Sequence, residues 1–223
     1  MLQANLIKLY EKSFRENSDR SAVTDYFSGE TYSYYGFANE IAKLHLLFEE
    51  AGIKQGDKIA LVGRNTPRWC VTYIATITYG AVIVPIMQTF TSNDIAHIVN
   101  HSESRLLFLT DSYWEGLDED SLPKVESVYS ITDFHVIFER SGDKMATFVN
   151  TISERFRQRY PNGFNITHIK YPEVPNENLM VLSYTSGTTG YSKGVMLTGN
   201  NLCANVYYAI TKVNKTTGNL WFY

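Results

Sequence analysis

Lys58-Ile59-Ala60-Leu61-Val62-Gly63-Arg64-Asn65-Thr66-Pro67-Arg68-Trp69 opens the stretch that decides the fold, and Gly80-Ala81-Val82-Ile83-Val84-Pro85 closes it. The run from Lys58 to Val62 is short and mainly apolar, the pattern of a buried strand. Thr66 fits an N-cap and Pro67 a first helical position, because proline there gives up an amide that had no partner anyway. The helix that follows is expected to bury Trp69, Tyr73, Ile74 and Ile77 and to stop at Gly80. Ala81 to Pro85 reads as a second buried strand, closed by a proline that cannot donate to a ladder. Upstream, Phe37, Ile41, Leu44 and Phe48 make a helical stripe after Ser33 that ends at Gly52, and Gly56-Asp57 turns into the first strand. Downstream, Ser92 with Asp94 opens a third helix through Ile95, Ile98 and Val99, and Arg105-Leu106-Leu107-Phe108-Leu109 is the next strand. Strand, helix, strand, helix, strand implies parallel crossovers, hence an α/β fold of parallel-sheet layers covered by helices on both faces.

Composition agrees with such a domain. The chain has 223 residues, 44% hydrophobic and 19% charged, which suits a sizeable core and not a disordered acidic tail. Its net charge of −3 argues against a nucleic-acid module that relies on bulk positive potential. Cys70 and Cys203, two cysteines far apart, cannot make a disulfide framework or a Cys-rich zinc site. Met1-Leu2-Gln3-Ala4-Asn5-Leu6-Ile7-Lys8 lacks a basic stretch followed by a long apolar run, and no membrane-length apolar segment follows, so a cytoplasmic protein is expected. Residues 111–175 are less regular. There Asp118-Glu119-Asp120 reads as a solvated loop, and residues 146–160 as one helix with Phe148, Ile152 and Phe156 turned inward.

The chemistry sits further on. Leu179-Met180-Val181-Leu182-Ser183-Tyr184 is strand-like and runs into Thr185-Ser186-Gly187-Thr188-Thr189-Gly190-Tyr191-Ser192-Lys193-Gly194. Val195-Met196-Leu197 resumes an apolar run, and Thr198 caps a helix through Leu202, Val206 and Ile210. Glycines let a backbone come close to a ligand, amides and hydroxyls supply neutral donors for phosphate oxygens, and the lysine adds a point charge. The segment is not the Walker loop, because Lys193 stands three residues past Gly190 and the chain returns to strand. It carries no Gly-x-Gly-x-x-Gly either. On composition alone, a Ser/Thr/Gly-rich surface turn stays open.

The order of residues goes further. Tyr-Thr-Ser-Gly-Thr-Thr-Gly-x-x-Lys-Gly-Val closely resembles the phosphate-binding signature of the adenylate-forming (AMP-binding) superfamily of acyl-CoA synthetases, luciferases and peptide-synthetase adenylation domains. Thr31 to Tyr34, Gly52 to Ala60, Asn65 to Trp69 and Gly80 to Pro85 also look like that family. Leu9 to Phe14, Ala42 to Glu49 and His97 to Glu103 look most like its long-chain fatty acid–CoA ligase branch. The resemblance implies a reaction in two halves. ATP and a carboxylate give an acyl-adenylate and pyrophosphate, and coenzyme A then displaces AMP to form a thioester. It implies that Thr185, Ser186, Gly187, Thr188, Thr189, Gly190 and Lys193 bind the nucleotide phosphates, with Lys193 catalytic at the leaving pyrophosphate. Its implied small molecules are ATP with Mg2+, a fatty acid and coenzyme A, with contact to a membrane surface left open. No metal ligand is assigned in this chain.

Residues 1–223 are then expected to be part of the large N-terminal domain, with the phosphate-binding loop at 184–194. The family's adenine-binding, magnesium-binding and ribose-binding segments and its C-terminal domain have no match here, so an inactive N-terminal part of a longer enzyme is expected. Two departures from the family stand out: Ser192 where proline is usual before the lysine, and Thr198-Gly199-Asn200-Asn201 where a histidine is common. A related enzyme for another acid or a carrier-protein acceptor stays open, as does a non-catalytic nucleotide-binding module. Among lesser candidates, His97 and His101 have zinc-ligand spacing but read as a polar helix face. Asp25 and Asp57 read as turn residues, Cys70 as a small core hydrophobe and Tyr207-Tyr208 as packing.

Overall fold

Local capping explains most helix starts. The computed structural model describes residues 4–185 and 192–212, with 210–212 as backbone only. Asn5 accepts the Lys8 amide through its side chain and opens α1 (Leu6–Glu16), an element not anticipated from the sequence. A short antiparallel pair, β1 (Ser21–Thr24) and β2 (Thr31–Ser33), leads to Ser33, whose hydroxyl accepts from the Gly36 amide at the start of α2 (Tyr34–Glu50). Next come β3 (Lys58–Val62), α3 (Pro67–Tyr79) and β4 (Val82–Ile86), with Thr66 capping the helix and Gly80 ending it at φ +93°. Then follow α4 (Ser92–Ser102), β5 (Ser104–Leu109), β6 (Ser127–Ser130) and β7 (Val136–Glu139). The chain continues through α5 (Lys144–Asn150), α6 (Ile152–Arg159), β8 (Leu179–Thr185), β9 (Lys193–Thr198) and α7 (Gly199–Lys212).

The large sheet has the order β7-β6-β5-β3-β4-β8-β9. Its five inner strands are parallel, and β7 and β9 are antiparallel edges, which refines the expected parallel layers. Side chains alternate across it. Ile59, Leu61 and Ile83 join one core with α1, α2 and α3, whereas Ala60, Val62 and Val84 join another with α4. Covering both faces in this way explains why the inner strands read as continuous apolar runs.

Four local expectations change. In α3 the fully hidden residues include Val71, Thr72, Ala75, Thr76, Ile77 and Thr78, whereas Trp69, Tyr73 and Ile74 are half-buried. Threonines can be hidden here because Thr72, Thr76 and Thr78 donate their hydroxyls to the carbonyls of Arg68, Thr72 and Ile74, one turn back. The N-cap of α4 is Thr91, locked in a capping box with Asp94, so Ser92 is already helical. Pro85 lies inside β4 opposite Leu61, and the strand continues to Ile86. The helix expected over 146–160 is two, broken at Thr151, whose hydroxyl donates to the Thr147 and Phe148 carbonyls. Phe148 and Phe156 are buried as expected, and Ile152 is only half-buried. Asp118 to Asp120 lies in an exposed turn. No helix among the described residues is long and apolar enough to cross a membrane.

Candidate nucleotide-phosphate site

Strands β8 and β9 form a hairpin whose tip carries the Gly-rich segment. Their last ladder pairs are Tyr184 opposite Gly194 and Thr185 opposite Lys193. Both ends of the loop are thereby held, with the hydroxyl of Thr185 and the ammonium of Lys193 on neighbouring strands and both residues exposed. Ser186, Gly187, Thr188, Thr189 and Gly190 fall outside the described residues. Lys193 makes no ion pair among the described residues, so its charge is available to an anionic oxygen.

The packing beneath this hairpin is tight. Tyr184 is 2% exposed and its ring lies close beside Gly194, where an added Cβ would lie 3.2 Å from the Tyr184 Cζ. Burial pushes the Tyr184 phenol pKa up, so it stays protonated, and its hydroxyl shares a hydrogen bond with His101 Nδ1 at 2.6 Å. His101 therefore does more than present a polar helix face. His97 and His101 do have their rings 5.8 Å apart, but among the described residues no group of three or more His, Cys, Asp or Glu is placed to hold a metal ion. Of the lesser candidates, Asp25 and Asp57 accept turn amides as expected, from Phe27 and Lys54. Burial raises the Cys70 thiol pKa, which suits a packing role. Tyr207 and Tyr208 depart from the packing expectation, at 54% and 64% exposure.

A crevice opens at the same edge of the sheet. After β3 the chain passes to α3 on one face, and after β4 to α4 on the other, so the two strands part at their C-terminal ends. Ligands in open α/β sheets bind at such switch points. The cavity there is about 490 Å³, lined by Arg64 and Asn65 after β3, Gln88 and Thr89 after β4, Trp69 of α3 and Ser183 of β8. Arg64 bonds Asp25 at 2.5 Å and lies over the Phe27 ring at 5.2 Å. That guanidinium holds the Asp25 carboxyl below the usual carboxylate range. None of these crevice residues was singled out as a site residue from sequence; the switch-point rule applied to strand order would have pointed to them.

Residues 10–221 match the AMP-binding enzyme family. The chain belongs to that family. It is 26% identical, over 97% of its length, to the long-chain-fatty-acid–CoA ligase of Escherichia coli O6:H1, and spans 40% of that protein. Among solved structures it is similar to the anthranilate CoA ligase AuaEII in complex with anthranoyl-AMP, at a TM-score of 0.72 and 16% identity over 94% of this chain and 37% of the other. It is also similar to ATP-bound MatB from Rhodopseudomonas palustris, at a TM-score of 0.68 and 20% identity over 93% and 37% of the two chains. AMP-binding enzymes use ATP to activate carboxylates, and this chain has the fold of their N-terminal part.

Proposed function

We propose that this chain is the ATP-binding portion of a long-chain fatty acid–CoA ligase. The observation that carries the reading is the placement of Thr185 beside Lys193 at the mouth of the hairpin that bears the family's phosphate signature. In the first half-reaction a carboxylate oxygen bonds to the α-phosphorus of ATP while the bond to pyrophosphate breaks. Charge then builds on the departing β- and γ-phosphates, and a fixed cation and neutral donors stabilise it most when they are positioned in advance. Lys193 supplies the cation. Thr185, Ser186, Gly187, Thr188, Thr189 and Gly190 supply hydroxyls and amides, and Mg2+ arrives with the nucleotide. In the second half the sulfur of coenzyme A attacks the acyl carbonyl and AMP leaves. A fatty acid as the substrate is supported by the relative from Escherichia coli, whose likeness runs through almost the whole chain.

Titration of ATP with Mg2+ onto the chain tests the reading. Lys193→Ala is expected to weaken binding by about tenfold or more, the worth of one charge-assisted hydrogen bond. Equal affinity in the two proteins overturns the assignment of the loop. In the complete enzyme, exchange of labelled pyrophosphate into ATP with acids of graded length identifies the acid. Stimulation by long-chain acids is the expected result.

A further inference from the structure

His101 lies on α4, far from the loop in sequence, yet its Nδ1 takes the only polar atom of the Tyr184 side chain at 2.6 Å. The two rings meet edge to face, with centroids 5.7 Å apart at 90°. Tyr184 in turn lies, with Leu182, against the loop's exit strand at Gly194. Gly194 is exposed, but a Cβ added there would meet the Tyr184 Cζ and the Leu182 Cδ1 at 3.2 Å each, and the next ladder pair is Thr185 with Lys193. A buried phenol without a partner would have to turn toward water, and the ring could not turn without disturbing Gly194. The contact thus joins the end of α4 to the base of the loop through a single side chain.

We infer that His101 is a positioning residue, which through the Tyr184 hydroxyl fixes Lys193 and Thr185 at the phosphate site. The inference rests on the proposed function only for what is positioned; the mechanical coupling holds whatever the ligand.

Amide hydrogen exchange of the chain without ligand tests the coupling, read on peptides spanning β8 and β9, with peptides of β3 and β5 as the internal reference. His101→Ala and Tyr184→Phe are each expected to speed exchange near Thr185, Lys193 and Gly194 by about tenfold, the worth of one hydrogen bond, with β3 and β5 unchanged. The double variant should exceed neither single one, because both remove the same bond. His101→Asn, whose side-chain amide reaches where Nδ1 stands, should restore slow exchange, a rescue that loss of packing alone does not predict. Additive effects, no rescue, a change spread evenly over the sheet, or a hairpin already fast in the wild type would each overturn the inference. Parallel titration with ATP and Mg2+ separates the two readings. Weaker binding by His101→Ala and recovery by His101→Asn support both. Slow exchange lost and recovered with ATP affinity unchanged leaves the coupling intact and removes Lys193 and Thr185 as phosphate contacts.

Discussion

His45 on α2 points its Nε2–H at the Ala75 carbonyl of α3, 3.0 Å away, with the Thr78 hydroxyl at 3.2 Å. Burial lowers its pKa from 6.5 to about 4, and the bond to Ala75 opposes this only in part. The sign follows from proton counting. Between these two values the unfolded chain binds a proton at this residue that the native chain refuses, so stability falls as pH falls through that window. Several carboxyls, among them Glu11, Asp25 and Asp94, have lowered values starting from 4.5 or 3.8, so their contributions are lost only in more acid solution. The share of His45 between about pH 6.5 and pH 5 is at most about 2 kcal/mol at 1.36 kcal/mol per pH unit. It is a ceiling because one edge of the ring borders a small cavity beside Tyr79 and Tyr171. His45→Gln keeps a donor at the Nε2 position and does not titrate. Urea unfolding at pH 7, 6 and 5 should show the wild type losing stability that the variant keeps, and parallel curves would defeat the argument.

At the scale of elements, the start of α7 depends on an approach that only glycine permits. Gly199 donates its amide to the Asn178 carbonyl and Asn200 donates to that of Asn176. A Cβ on Gly199 would stand 2.9 Å from the Asn176 Cα and 2.8 Å from the Met180 Cε. Asn176 is itself committed, accepting from the Leu6 amide and donating to the Ala4 carbonyl, so it ties α1 to α7 and has little room to retreat. Gly199→Ala is expected to lower the unfolding free energy by about 1–2 kcal/mol, overpacking strain less the gain in helix propensity. An unchanged denaturation midpoint would show that Asn176 yields freely. The sequence had shown a helix here and the absence of the family's usual histidine, but not the backbone that crowds the position. The same division runs through the fold. The elements from Tyr34 to Leu109 were legible because their period, caps and glycine stops lie within each segment. The strand pairs β1–β2 and β6–β7 were not: β1, β2 and β7 are short and only partly buried, and β6, though buried throughout, is four residues long with a serine at each end. Thr198 stands at the cap position the sequence indicates, immediately before α7, and its amide and hydroxyl both donate to Asn201 Oδ1, a contact from inside the helix that the sequence does not show. The Gly-rich segment was legible as an ordered motif of residue types, and its part at the phosphates is the proposal made above. The partner of Tyr184 was not, since nothing local links His101 to a strand that begins at Leu179.

For the whole molecule, two cores separated by one sheet leave the β9 edge as the weakly covered side. Successive residues of a strand face opposite ways, yet Val195 and Met196 are 44% and 67% exposed, so neither face of β9 is fully covered at that point. Tyr207 and Tyr208 on α7, the helix that follows, are more than half exposed as well. An apolar edge strand with open ladder groups is a template for another chain, and lysine is the residue that most often blunts one. Lys193 sits at the loop end of β9, which leaves the stretch from Gly194 to Leu197 without a charge. In the Escherichia coli relative the matched region is 40% of the protein, and an enzyme of that length has further chain that can cover such a side. The chain on its own is accordingly expected to self-associate with rising concentration, and Met196→Lys to shift it toward the monomer without lowering its unfolding midpoint. Sedimentation velocity over a hundredfold range of concentration, about two decades in mass action, reads both. A wild type that stays monomeric throughout would mean that the β9 side is tolerated by water as it stands. An associating Met196→Lys would instead place the contact elsewhere, with the exposed Tyr26 and Phe27 at the crevice edge as the next surface to charge.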